Sequence, residues 1–385
     1  MKKVRRIFAI LCLVCLLFQL TGCIDIQEVP PYIEVTVEEE VYANRFYYGQ
    51  LSDAEQMAYR EIYQGLIEHQ DVVYMHMIDP EVGNRVLHSV VSDFGEIFWT
   101  DGAAVTSTYE ETFFSKAYTT MEINYIYTAE EKAEREEHIK VVADKILNAV
   151  PSTYSEYEKV KYIYEYLVKG VDYVEGAPDN QNIYSALVGK RTVCAGYAKA
   201  VQYLLTKLGV HCTYVTGKAT AEDRTDAHAW NIVRCNGKYY YVDVTWADPL
   251  FMEDAIKVDD IIYDYLCCSE NVIGSTHTLD EGYEYPACNS EDLDYYRLNN
   301  MFYDRADSSQ ILRAMKNSIN GKAKSTVFKF ANSELYAKGR QMLLDSLLDK
   351  AGTYLCERYH LRHVEYYYVE YENTNRFVVC WQYKS

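Results

Sequence analysis

The sequence predicts an α+β chain. At its centre a cysteine-bearing helix packs on an antiparallel sheet, and smaller α+β units flank it. Three observations predict this. Ser52 with Glu55, Thr128 with Glu131 and Ser155 with Glu158 each form a capping-box pair ahead of an apolar-periodic stretch. Asn236-Gly237 sits between two β-rich runs, the strongest short hairpin signal. Apolar residues at helical spacing begin at Cys194 and run to Leu208, where Gly209 supplies a stop.

Taken in order, residues 1–22 are an address rather than a fold. Lys2, Lys3, Arg5 and Arg6 precede an apolar run from Ile7 to Phe18. That run is too short to span a bilayer and suits a signal-peptide core. It closes on Leu20-Thr21-Gly22-Cys23, which resembles the lipobox of bacterial lipoproteins. The resemblance implies cleavage before Cys23, lipidation of that cysteine, and a place on the extracytoplasmic face of the cell membrane. Residues 23–44, with Pro30-Pro31 and Glu38-Glu39-Glu40, are expected to be an extended tether.

Residues 45–127 are expected to form a small α+β domain. Its helix follows Ser52 to about His69, with Ala58, Ile62 and Leu66 on one face, and its strands are Glu96 to Thr100 and Thr119 to Tyr127. The catalytic candidate occupies residues 128–290. It opens with two helices, one burying Ile139, Val142, Ile146 and Ala149, the next Val160, Ile163 and Leu167. Residues 291–385 are expected to form a βαββ domain: a strand over Ser325 to Phe330, a helix from Ser333 to about Tyr354, and a hairpin of Val364 to Tyr371 with Arg376 to Tyr383.

The chemistry lies in the middle. With Thr192 as N-cap, Cys194 becomes the second residue of its helix. There its sulfur sits beside unsatisfied N–H groups and the positive end of the helix dipole, a location that favours the nucleophilic thiolate. A two-residue turn at Asn236-Gly237 pairs Cys235 with Lys238 and, counting back, Asn231 with Val242, Trp230 with Asp243 and His228 with Thr245. Side chains alternate faces with period two, so His228 and Asp243 share a face as diagonal neighbours. A carboxylate on one imidazole nitrogen fixes the ring and leaves the other nitrogen for the thiol proton.

These residues resemble the transglutaminase-like superfamily. The matching motifs are Thr192-Val-Cys194-Ala-Gly196-Tyr197-Ala198, His228-Ala-Trp230-Asn231 and Val242-Asp243-Val244-Thr245-Trp246, spread over roughly residues 130–290. The resemblance implies a papain-like core with a Cys194–His228–Asp243 triad and acyl chemistry on amides through a thioester. Val244 stands where many relatives have proline. The Cys194 backbone N–H is the natural oxyanion donor, and a second is sought among Gln181, Asn182, Tyr173 and Trp230.

Composition narrows the alternatives. A net charge of −19 with no Lys/Arg block repels phosphate backbones, which excludes nucleic acid as a partner. The 39 tyrosines are a compositional bias or a wet binding surface. No Cys-x-x-Cys or phosphate loop is present, so no cofactor or metal is expected, and His211, His277, His360 and His363 are expected to be structural or surface residues. Two functions remain. One is a surface thiol enzyme, a peptidase or transglutaminase-type acyl transferase acting on protein or wall peptide. The other is a non-catalytic binding or scaffold module on the same fold.

Overall fold

The structure is a computed structural model that describes residues 32–112, 116–221, 224–247 and 261–383. The signal peptide and the Cys23 lipidation site lie outside the described residues. No helix among those described is long and apolar enough to cross a membrane. The chain separates into two compact units, one reaching Val90 and resuming over Thr100–Tyr125, the other made of Val91–Trp99 and everything from Ile126.

The first unit carries α1 (Asp53–Glu68), β1 (Val72–His76), most of α2 (Pro80–Asp93), β2 (Thr100–Tyr109) and β3 (Tyr118–Tyr125). Its sheet has the order β1-β3-β2, antiparallel throughout. The Ser52/Glu55 capping box opens α1, and Ala58, Ile62 and Leu66 are buried. Two expectations need correction. Glu96 to Thr100 is not a strand, because the chain leaves α2 through a turn and extends only from Thr100. Residues 32–44 are not a free tether either: Ile33 N–H donates to Tyr74 O, and Tyr42 is fully buried. A tyrosine can bury its ring where acidic neighbours alone suggested solvent. Helix α2 went unread because its polar face breaks the apolar run.

The second unit begins with α3 (Ala129–Asn148) and α4 (Glu156–Gly170), both opened by the expected capping boxes. Ile139, Ala143 and Ile146 are buried on α3, whereas Ala149 is its exposed C-cap. A two-stranded parallel pair follows, β4 (Asp172–Tyr173) with β5 (Arg191–Thr192), and leads into α5 (Cys194–Lys207). The main sheet is β6 (Cys212–Ala221), β7 (Arg224–Cys235), β8 (Lys238–Val242) and β9 (His277–Leu279), in the order β8-β7-β6-β9. Helix α5 packs on it: Ala195 and Ala198 meet Tyr214 and Ala229, and Asn231 Nδ2 donates to Ala198 O at 2.9 Å. This is the predicted cysteine-bearing helix on an antiparallel sheet.

The remainder of the unit holds β10 (Phe302–Tyr303), α6 (Ser308–Asn320), β11 (Ser325–Phe330), α7 (Ser333–Met342), α8 (Leu348–Tyr359), β12 (Tyr366–Tyr371) and β13 (Arg376–Trp381). One π turn, Leu343–Leu347, joins α7 to α8. The sheet order is β10-β11-β13-β12, so the expected strand, helix and hairpin are present, and β10 and α6 are added. Phe328, Phe330, Phe377, Val379 and Trp381 form its core with Ile311, Met315 and Leu355.

Candidate active site

Cys194 is the first residue of α5, with Val193 rather than Thr192 as its N-cap. Thr192 is committed elsewhere. Its hydroxyl donates to Asn180 O at 2.8 Å and meets Ser185 Oγ at 2.7 Å. Gly196 explains the small residue two positions after the cysteine. A Cβ there would overlap Thr192 Oγ1 and stand 2.9 Å from Asn182 O. A side chain at 196 would push the helix start off the 180–182 loop.

The hairpin register is the predicted one as far as Asn231 opposite Val242. Beyond that the ladder stops, and the expected Trp230–Asp243 and His228–Thr245 pairs do not form. Asp243 N–H turns to Tyr265 O at 3.0 Å, and Asp243 Oδ1 accepts the amides of Thr245 (2.9 Å) and Trp246 (3.2 Å). The aspartate thus closes a turn of its own. It still reaches the histidine, with His228 Nε2 2.7 Å from Asp243 Oδ2. Since Nε2 is engaged there, Nδ1 is left for Cys194, whose sulfur is near enough to act on the charge of the ring. The Trp230 ring stacks on His228 at 5.7 Å between centroids.

The electrostatics follow from burial and contact. Burial of His228 opposes its charge. The touching Asp243 carboxylate and the Cys194 sulfur outweigh that and raise its pKa from 6.5 to about 10. Burial would likewise raise Asp243, but His228 and a second imidazole hold it far below the ordinary carboxylate range. The pair therefore rests as imidazolium and carboxylate.

That second imidazole is His277, which sequence reasoning set aside as structural or surface. It is buried, and its Nε2 lies 3.1 Å from the same Asp243 Oδ2. It escaped notice because β9 is only three residues long and lies 34 positions beyond Asp243, with no motif to link them. The donor atoms of His228, Asp243 and His277 lie within 4.8 Å of one another. In this arrangement both imidazoles turn Nε2 toward the same carboxylate oxygen.

The four oxyanion candidates separate. Asn182 is turned inward, its Oδ1 accepting Tyr184 N–H at 2.9 Å, and Gln181 is exposed. Trp230 Nε1 is buried away from solvent without a hydrogen-bond partner. Tyr173 is half-buried. Burial first, and then the nearby Cys194 sulfur, push its phenol up to about 12. Its hydroxyl therefore stays protonated through the neutral range.

A sequence model of the transglutaminase-like superfamily matches residues 141–244, a span that holds Cys194, His228 and Asp243 but not His277. Among solved structures, a candidate cysteine protease from Cytophaga hutchinsonii is 15% identical, with 38% of this chain and 64% of that one covered at a TM-score of 0.25. A TGase is 12% identical, with 45% and 50% covered at 0.26. A candidate protease from Parabacteroides distasonis is 11% identical, with 36% and 35% covered at 0.21. The chain thus spans less than two thirds of the length of each. No curated protein matches the chain. With the cysteine helix, the histidine strand and the aspartate turn in the order the motifs require, residues 141–244 are the part of this chain that matches the transglutaminase-like superfamily.

Proposed function

We propose that the protein is a thiol enzyme acting on peptide or glutamine amide bonds through an acyl-enzyme on Cys194. The observation that carries this is His228, which bonds Asp243 through Nε2 at 2.7 Å and leaves Nδ1 for the neighbouring Cys194 sulfur. The thiol proton rests on His228 Nδ1, and the thiolate sulfur attacks the amide carbonyl carbon as the carbonyl oxygen takes the negative charge. The Cys194 N–H has no acceptor within its own helix at that position and faces the oxyanion. Tyr173, whose phenol keeps its proton, is our candidate for the second donor. The C–N bond then breaks as His228 Nδ1 protonates the leaving amine, which leaves a thioester. Water or a second amine attacks the thioester, gives its proton to His228 and releases Cys194. Hydrolysis and transamidation differ only in the acceptor.

The lipobox pattern adds location: a lipid on Cys23 holds the enzyme at the extracytoplasmic face of a bacterial membrane, with surface proteins and wall peptides within reach. The acidic surface favours basic substrates. The test runs two assays on separate samples: labelling with iodoacetamide, and incubation of the unlabelled protein with a glutamine-containing protein and a fluorescent primary amine. Cys194-dependent incorporation of the amine marks a transferase, and Cys194-dependent release of ammonia or peptide without incorporation marks a hydrolase. Neither product, together with Cys194 labelling no faster than an exposed model thiol, leaves the binding-module reading.

A further inference from the structure

Asp243 Oδ2 accepts from two imidazoles, His228 at 2.7 Å and His277 at 3.1 Å. The second ring is firmly held. Its Nδ1 lies 2.8 Å from Thr276 Oγ1, and it stands edge-on to Trp246 at 4.7 Å and Trp230 at 5.1 Å. Its strand, β9, pairs with β6 at Gly217, the same residue that lies opposite His228 on β7. A Cβ on Gly217 would overlap Thr278 O and come within 2.8 Å of the Trp230 ring. Two separate strands therefore bring two imidazoles to one oxygen.

Resting on the thiol-enzyme reading above, we propose that His277 is a positioning residue of the reaction: it shares Asp243 Oδ2 with His228, weakens the carboxylate's hold on the imidazolium, and makes His228 a better acid toward the leaving amine. Orientation alone does not require it. Asp243 is already fixed through Oδ1 by the Thr245 and Trp246 amides and through its own N–H by Tyr265 O. What a second donor changes is the charge that Oδ2 offers to His228 Nε2. Less charge drawn there makes the proton on Nδ1 easier to release, and a proton held too tightly is a poor general acid. The other groups facing this pair are Cys194 from α5, Tyr164 from α4, and Tyr265 and Cys268 from the segment after β8. Burial keeps Tyr164, Tyr265 and Cys268 protonated through the neutral range. His277 is then the group that divides the charge of Asp243 with His228.

The experiment compares wild type with His277→Phe, which keeps an aromatic ring without a donor, and His277→Gln, which restores an N–H near the Nε2 position. Histidine ring NMR reads where His228 loses its proton. Acylation is read with two probes, p-nitrophenyl acetate, whose leaving group needs no proton, and a blocked glutaminyl dipeptide, whose ammonia does. His277→Phe should move the His228 titration up by about one pH unit, the scale of one hydrogen bond to a charged group. It should slow ammonia release about tenfold and leave ester acylation near the wild-type rate, and His277→Gln should recover both. An unmoved His228 titration, or equal slowing of ester and amide, overturns the proposal. So does activity lost to EDTA and restored by zinc, which would put a cation among these donors. Failure of the thiol-enzyme reading looks different: the wild type would show no ester acylation that Cys194→Ala abolishes, and the NMR titration would still judge His277.

Discussion

Cys194 is one of two half-buried cysteines among the eight described, and the other six are buried. Burial pushes Cys288 up to about 12 and raises Cys212, Cys267 and Cys268 well above the ordinary thiol range. Iodoacetamide near pH 6 should therefore alkylate Cys194 first, and Cys356 is the internal control. His228→Ala should slow that labelling, and peptide mapping by mass spectrometry reads the order. A second prediction follows from His228 itself. Its folded pKa of about 10 exceeds the ordinary 6.5, so its contribution to stability is complete below 6.5 and is lost as pH rises toward 10. Denaturation of wild type and His228→Gln should differ most at pH 6 and converge toward pH 10; a constant difference would contradict the ion pair. Cys194, His228 and Asp243 were legible in the sequence because each sits in a short motif with a local geometric reason. His277 was not, since its partner is 34 residues away and only tertiary structure joins them.

At the scale of elements, the helix starts were the most readable features. A capping box satisfies backbone donors within four residues, so no distant contact is needed to recognise it. The hairpin register was equally local and holds from Cys235–Lys238 to Asn231–Val242. It fails at Asp243, where a side chain with its own hydrogen-bonding appetite ends the ladder sooner than counting allows. The cap of α5 was misplaced for a related reason: the Thr192 hydroxyl, which looked available for capping, is drawn to Asn180 and Ser185 across a loop. Gly196→Ala tests that packing. The added methyl meets Thr192 Oγ1 and the Asn182 carbonyl, and overpacking of this kind costs about 1–3 kcal/mol. Urea denaturation should show that loss, and Cys194 alkylation should slow as the helix start shifts. A variant as stable and as reactive as wild type would mean the loop gives way freely.

On the scale of the whole second unit, the segment after β8 and the C-terminal sheet meet around one buried carboxylate. Asp264 takes Lys329 Nζ at 2.6 Å, Arg376 Nε at 2.9 Å and Tyr296 OH at 3.2 Å, and all four residues are buried. Burial would raise Asp264, but the two cations hold it below the ordinary carboxylate range. Removing one member of such a cluster leaves a buried charge short of its partner, so Asp264→Asn should destabilise the protein by about 3–5 kcal/mol, read as a lowered urea midpoint. The next residue is Tyr265, whose carbonyl receives the Asp243 N–H. One peptide bond thus separates the carboxylate that the tail grips from the carbonyl that steadies the triad aspartate. Anyone trimming this protein to its recognisable family segment, residues 141–244, would keep every signature residue and discard the masonry beneath one of them.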